Sequence, residues 1–357
     1  MGAALMMLAA CGHSWEESEE EGLRRLSDSL RTDGGGRIAV TFEVLGGETA
    51  FAAVAQADPL RTNLPGLEGP DGVLYTSDTE SVRLVTNAGF VSPVSVLAWP
   101  ILDEHGALAE GRYALDIGTL AAEQLAYEQG DVEVDVWIKS DPDFSSGGID
   151  ARVVWNDGLE DRVDPATMDA AFEVWAEIYA AHGLTVHRLD DLVWDGPTLG
   201  QPGTTFGSWL AMSGEGPTRV INLVLVETIE DLPQAFGLAG GIPGPVGASG
   251  SSGVLVSYGL AAGTDGALSE AETRILGETL AHETGHYLGL FHPVEIGWDR
   301  WDSLGDTPEC GGEADCEGLF ADNLMFPYPV CNIRDCTPQN VVTDAQGRGM
   351  NRHPLAD

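Results

Sequence analysis

Apolar positions between residues 37 and 138 fall in short runs at 38–44, 81–86, 91–99 and 132–138, separated by glycine, proline and aspartate. In the first of these, Ile38, Val40, Phe42 and Val44 alternate with smaller or polar residues. Successive side chains of a strand point to opposite faces, so such a run buries one face and wets the other. Several of them between turn-forming residues predict a small all-β, sandwich-like domain over residues 35–141. The stretch Asp141-Pro142-Asp143-Phe144-Ser145-Ser146-Gly147-Gly148 is turn-forming and reads as a boundary. Beyond it the period lengthens. Residues 149–155 read as a strand, residues 165–182 carry helical spacing and stop at Gly183, and residues 185–189, 219–227 and 254–258 read as further strands, the last after a Gly- and Pro-rich loop at 240–253. Strands alternating with a helix predict an α/β layer in which the helix crosses over a partly parallel sheet. Ser269 can cap a helix, and Glu270 and Glu272 sit where the helix dipole favours negative charge, so a helix should run from there to about Leu288.

Residues 12–34 show no such pattern. The run Glu16-Glu17-Ser18-Glu19-Glu20-Glu21, followed later by Gly34-Gly35-Gly36, has a composition too charged and too small to pack, and predicts an acidic flexible tether.

Composition narrows the function. The 357 residues leave room for two domains, and 43% hydrophobic content supports a real core. Acidic residues outnumber basic ones 57 to 17, a formal charge of -40, which excludes nucleic acid as a partner and disfavours anionic membranes. No run reaches the roughly 18 apolar residues of a transmembrane helix. The acidity reads as a solvated surface; it leaves Ca2+ open as an ion but supplies no calcium motif such as an EF-hand loop. Of five cysteines, Cys310, Cys316, Cys331 and Cys336 form an even set. Two disulfides in any of three pairings, and hence an oxidising compartment, are expected, since neither gap has the short spacing of a four-cysteine zinc site.

The chemistry is concentrated in residues 282–292, HETGHYLGLFH. His282 and His286 lie one turn apart on one helix face and can grip a single ion, while Glu283 beside them can take a proton from a water activated there. His292 lies too far along a continuous helix, but Gly289 can adopt the left-handed conformation that ends the helix and swings His292 back to the metal. A chance HExxHxxGxxH in this chain has a frequency on the order of 10⁻⁵ to 10⁻⁴. His13, His105, His182, His187 and His353 share no ligand spacing and read as surface or capping residues, and the nine tryptophans mark no cofactor site.

At these residues the chain resembles the metzincin metallopeptidases, and its downstream features resemble the bacterial pappalysin family. Asp322-Asn323-Leu324-Met325-Phe326-Pro327 is similar to the tight turn that carries a methionine beneath the metal, with Met325 in that place. Asp306-Thr307-Pro308 is similar to the DTP element of pappalysins, and residues 342–346 and 351–355 to their closing helix. Where the family turn has a tyrosine two places after the methionine, this chain has Pro327, and Tyr328 follows. The resemblance covers about residues 148–357. It implies an α/β (α+β) metzincin-like catalytic domain with a twisted mixed sheet, an active-site helix as the floor of a cleft, and a lower, disulfide-stabilised subdomain. The implied activity is that of a zinc-dependent metalloendopeptidase with one catalytic Zn2+ held by His282, His286 and His292, Glu283 as the base, and a protein or peptide substrate. That substrate would add as a strand to an exposed sheet edge, with residues 254–258 the candidate edge. The competing reading, a surface adhesion protein with a structural zinc site, is disfavoured by the presence of Glu283. At the other end, Leu8-Ala9-Ala10-Cys11 resembles the lipobox of a bacterial lipoprotein signal peptide, in which Cys11 is lipidated. Export to the outer membrane as a lipoprotein, or to the exterior, is the corresponding expectation.

Overall fold

A computed structural model describes residues 15–357, apart from 21, 79, 142–143, 157, 198, 200–205, 216–217, 231, 263–267 and 332–335. The first part of the chain is built from β1 (Glu16–Glu20), β2 (Leu23–Arg31), β3 (Arg37–Val44), β4 (Ala50–Gln56), β5 (Arg61–Glu68), β6 (Leu74–Thr76), β7 (Arg83–Leu84), β8 (Val94–Trp99), β9 (Gly111–Leu120) and β10 (Asp131–Lys139). One sheet has the order β1-β2-β10-β4-β8 and a second β3-β9-β5-β6. Their facing side chains, among them Phe42, Phe51, Tyr113, Leu115, Val134 and Val136, form one core.

The acidic stretch expected to be a tether is two strands of this structure. Leu23 and Leu26 are buried and anchor β2 to the core. Arg24 and Arg25, which follow the glutamates, pair with Glu48 and with Glu20 and Asp135 respectively. These cations offset the acidic run, and β1 lies on the sheet edge, where water solvates the glutamates and where charge deters edge-to-edge pairing. Window-averaged composition hides both the apolar anchors and the arginines.

The second part contains β11 (Gly147–Trp155), α1 (Pro165–Ala180), β12 (Leu184–Arg188), β13 (Leu192–Val193), α2 (Phe206–Ser213), β14 (Val220–Val226), β15 (Gly237–Ala239), β16 (Val254–Ser257), α3 (Tyr258–Ala261), α4 (Glu270–Tyr287), β17 (Trp301–Asp302), α5 (Glu313–Phe320) and α6 (Asp344–Arg352). Its sheet runs β12-β11-β14-β16-β15, parallel except for β15. Every residue of β14 is buried, as a parallel strand covered on both faces requires. Helix α1 makes the crossover and packs on α4, where Gly277 admits close approach: a Cβ there would lie 2.5 Å from the Ala171 carbonyl. Tyr179 Oη donates to Ala281 O across the same contact.

Residues 254–258 are not the sheet edge. Strand β16 lies between β14 and β15, and the edge is the three-residue β15, whose Gly-Leu-Ala sequence has no strand signature of its own.

The two parts share a core that includes Leu23, Val54, Val96 and Trp137 from the first and Ile149, Tyr179 and Leu280 from the second. Strands β7 and β17 pair in parallel across the junction. The fully buried Lys139 ammonium donates to the carbonyls of Asn351 and Ala356 at 2.8 and 2.5 Å and pairs with Asp141. Asp103 pairs with both Arg348 and Arg352. Among the described residues, no helix is long and apolar enough to cross a membrane.

Candidate metal centre

Helix α4 begins with a reciprocal cap in which Ser269 Oγ accepts from Glu272 N, and Glu272 Oε2 accepts from Ser269 N at 2.8 Å. It ends where Gly289 takes φ +106°, a conformation that side chains with a Cβ rarely adopt. The Gly289 amide closes on His286 O and the Leu290 amide on Gly285 O, which turns the chain back along the helix. This reversal carries His292 to the face that already presents His282 and His286.

The three imidazoles meet through their Nε2 atoms, 3.1 Å apart for His286–His292 and 3.3 Å for His282–His292. Each Nδ1 has its own acceptor: Leu324 O for His282 at 2.7 Å, Leu290 O for His286 at 2.6 Å, and the Glu295 carboxylate for His292 at 2.9 Å. A carbonyl can only accept, so the proton sits on Nδ1 and the Nε2 lone pairs of His282 and His286 face inward. Four tetrahedral ligands at the usual zinc–nitrogen length of about 2.0–2.1 Å are spaced about 3.3–3.4 Å from one another, close to the observed separations. Burial pushes the His282 imidazolium down to about 3, with further help from His292. The same two causes, with His282 added, lower His286. Neutral rings are what a metal needs. Among the described residues this is the one cluster of three or more histidine, cysteine or acidic groups within reach of a common ion.

Glu283 projects beside the triad toward β15 and is 6% exposed. Burial raises its carboxyl to about 8, opposed by the nearby backbone of Ala239. Gly237 on the same strand approaches so closely that a Cβ there would lie 2.3 Å from Glu283 Cγ.

Met325 is fully buried under the helix. Gly285 makes the room: a Cβ at that position would sit 2.7 Å from Met325 Sδ. The loop is fixed by Asn323, whose Oδ1 accepts from Met325 N at 2.9 Å and whose amide exchanges hydrogen bonds with Gln346 of α6 at 3.1 and 3.2 Å. Asp306 in turn accepts from Thr343 Oγ1 and Ala345 N, holding the start of α6. Gly285 and Gly237 carry no sequence signal of these roles, because each acts by lacking a Cβ, and the pairing of Asn323 with Gln346 joins residues 23 apart. The Tyr328 hydroxyl is engaged by Glu317 at 3.1 Å, and its pKa is raised to about 12 by burial and that carboxylate.

The cysteines pair locally, Cys310 with Cys316 and Cys331 with Cys336. The first bridge packs with Val294, Phe320 and Phe326 beside the site. Cys11 and the lipobox-like residues lie outside the described residues. His353 is no surface residue: it is 1% exposed, accepts from Leu355 N, donates to Gly244 O, and is pushed down to about 4 by burial. Its ring joins α6 to the 240–253 loop, a contact between segments about 100 residues apart that no local pattern records.

The triad opens into a cleft of about 1200 Å³. One wall is the β15 segment from Leu232 to Pro243; another is residues 87–96 of the β-rich first part, including Phe90 and Val94; Ile296 and Tyr328 lie at the rim.

No protein-family model matches the sequence, and no curated protein matches it. Among solved structures, the chain is similar to metalloproteinase-II from Bacteroides fragilis, with 11% identity, TM-score 0.36, and coverage of 61% of this chain and 62% of that one. It therefore spans less than two thirds of that protein's length. It is similar to archaemetzincin from Methanopyrus kandleri at 23% identity and TM-score 0.27, covering 42% and 76% of the two chains. It is also similar to PliG of Aeromonas hydrophila, a periplasmic lysozyme inhibitor of g-type lysozyme, at 17% identity and TM-score 0.20, covering 37% and 93%. These likenesses are too shallow to assign a family, and the functional reading rests on the geometry of the triad.

Proposed function

We propose that this chain is an exported zinc metalloendopeptidase of the metzincin type, closest in its motifs to the pappalysins. The observation that carries the reading is the convergence of three Nε2 atoms, at the spacing a tetrahedral ion requires, beside a buried carboxylate at the open edge of a sheet. His282, His286 and His292 would hold the ion. When bound, zinc supplies Lewis-acid polarisation of a carbonyl and lowers the pKa of a water.

The residues of the chain do the rest. In the antiparallel β15–β16 pair, Phe236 O accepts from Ser257 N, and Gly240 N donates to Gly253 O. The alternation of such a ladder then turns the amides and carbonyls of Gly237 and Ala239 away from β16 and into the cleft. An extended peptide pairs there as an added strand, which brings its scissile carbonyl over the triad. Glu283 accepts a proton from the attacking water as the oxygen bonds to the carbonyl carbon. The carbon–nitrogen bond then breaks, and Glu283 gives that proton to the departing amine; the second proton of the water leaves the new carboxyl group for the amine, so the products are a carboxylate and an ammonium. An open trough walled by two parts of the chain suits an internal stretch of polypeptide. The two disulfides support an oxidising location, and Met325, Gly285 and Gly289 shape the floor without touching substrate.

The test is zinc content together with cleavage of an unfolded protein, wild type against Glu283→Gln. About one zinc per chain and activity that falls 10²-fold or more in the variant or on chelation support the proposal. Zinc bound without cleavage in either protein overturns it in favour of a binding protein with a structural metal.

A further inference from the structure

We propose that the β-rich first part of the chain helps to select the substrate: Phe90, together with Ile296, forms an apolar subsite for a side chain of the segment that precedes the scissile bond. This rests on the peptidase reading above and names the class of polypeptide that the same cleft prefers.

The free edge of β15 is short. Gly237 and Ala239 turn their amides and carbonyls into the cleft, but the Asn87 amide donates to Ile242 O at 3.1 Å, so at that point the first part of the chain already occupies the backbone. Strand residues rise about 3.3 Å each, so a peptide laid on β15 meets residues 87–96 roughly 10 Å, or about three residues, beyond Ala239. Antiparallel addition is the more stable pairing, and it sends the amino-terminal half of the peptide toward that wall.

What the peptide meets there is apolar and fixed. Phe90 is 39% exposed and Ile296 71%, and both line the cleft of the triad, as do the buried Val94 and Phe291. Phe90 N donates to Asn87 O at 2.9 Å, and Ser92 exchanges backbone bonds with Thr62 of β5 at 2.7 and 3.0 Å, which fixes the turn that presents the ring. Ile296 stands on a second turn, closed by Trp298 N to Glu295 O at 3.0 Å and Glu295 N to Arg300 O at 2.9 Å. That turn is tied to the same part of the chain, through Trp301 N to Val82 O at 2.8 Å and Arg300 Nη2 to Ser81 O at 3.4 Å. Single exposed apolar residues are ordinary, but two large ones in the active cleft of a chain with a formal charge of -40 leave surface that a bound apolar side chain would take out of water. Because both turns are already held, little ordering opposes that docking.

The probe is a mixture of synthetic dodecapeptides of random sequence, digested by the zinc-loaded full chain and sequenced by mass spectrometry, so that each cut reports the residues around it. Among the second to fourth residues before the cut, wild type should favour leucine, isoleucine, valine, phenylalanine or methionine over serine by about tenfold, the low end of what an apolar pocket gains per methylene. Phe90→Ala and Ile296→Ser should each reduce that preference to about threefold or less, and Phe90→Leu should keep most of it. Zinc content and melting temperature should not move, since both side chains are exposed. Absence of an apolar preference before the cut, or a preference that both Phe90→Ala and Ile296→Ser retain, overturns the inference and leaves the peptidase reading intact. A preference for lysine and arginine at those positions also overturns it, and assigns that end of the cleft to the Asp299 carboxylate. If wild type cuts no peptide, the peptidase reading falls, and fluorescence anisotropy of a leucine-rich and a serine-rich dodecapeptide decides the subsite. Tighter binding of the leucine-rich peptide that Phe90→Ala abolishes supports the apolar wall, and equal binding of the two overturns it.

Discussion

The carbonyl of Leu324 accepts the Nδ1 proton of His282 at 2.7 Å, which ties the first histidine of the triad to a loop 42 residues further along the chain. The orientation of a ring on α4 is thereby set by a segment that α6 holds in place through Asn323 and Gln346.

Gln346→Ala should loosen that support. Asn323 loses a buried partner, at a cost of about 1–3 kcal/mol in stability. Zinc affinity should drop about 10–100-fold, as for other outer partners of metal-bound histidines. Competition with a chelator and thermal unfolding measure the two effects, and an unchanged affinity would show that Leu324 O is held by other means.

Gly289→Ala puts a Cβ on a residue with φ +106° where the nearest outside atom is 3.8 Å away, so the penalty is backbone strain and not collision. A loss of about 1–3 kcal/mol is expected. Because the strain falls on the turn that returns His292, zinc stoichiometry should suffer along with the melting temperature.

Gly285→Ala collides with Met325 Sδ. Overpacking costs about 1–3 kcal/mol. The collision is mutual, so Met325→Ala in the same chain should recover part of the loss, and a double-mutant cycle should show non-additive energies.

Asp302 predicts the pH dependence. It is 2% exposed, and burial lifts its carboxyl to about 7, with its bonds to Thr307 and Leu304 N working the other way. A pKa raised in the folded state means that the folded form holds the proton more tightly. The contribution is therefore complete below about pH 4 and is lost as pH rises through about 7. Asp302→Asn should flatten this slope, becoming the more stable protein at pH 8 by something on the order of 2–4 kcal/mol while matching wild type near pH 4. Urea unfolding at several pH values measures it.

Zinc itself should stabilise the fold. At free zinc one hundred times its Kd, linkage adds about 2.7 kcal/mol, read as a chelator-sensitive rise in melting temperature. His286→Ala should abolish the rise.

What the sequence exposes and hides follows from the range of the interactions. The cap at Ser269, the spacing of His282 and His286 and the turn at Gly289 are local, and each leaves a mark within a few residues. Strand β14 and helix α1 are legible from periodicity. Strand β4, whose residues 50–55 are all buried, shows no alternation to read, and β5 is interrupted by a bulge between Asn63 and Gly66. Strands β1 and β2 disappear behind their own charges. The edge strand β15 is three residues long and is defined by its neighbour β16, so the sequence points to β16 instead. The close packing of Glu283 on the edge strand depends on an atom that Gly237 lacks, and His353 is buried by segments far away in the chain.

The Lys139 ammonium, enclosed by the carbonyls of Asn351 and Ala356, bears on where this chain can be cut. A fragment starting at Gly147 would keep all three histidines and Glu283, yet it would leave those carbonyls without their donor and open the apolar surface that Val54, Val96 and Trp137 now cover. It would also lose the wall formed by residues 87–96. The turn-rich stretch at 141–148 is thus a poor place to trim, because the support of the triad reaches back to Leu23 in β2, 259 residues before His282.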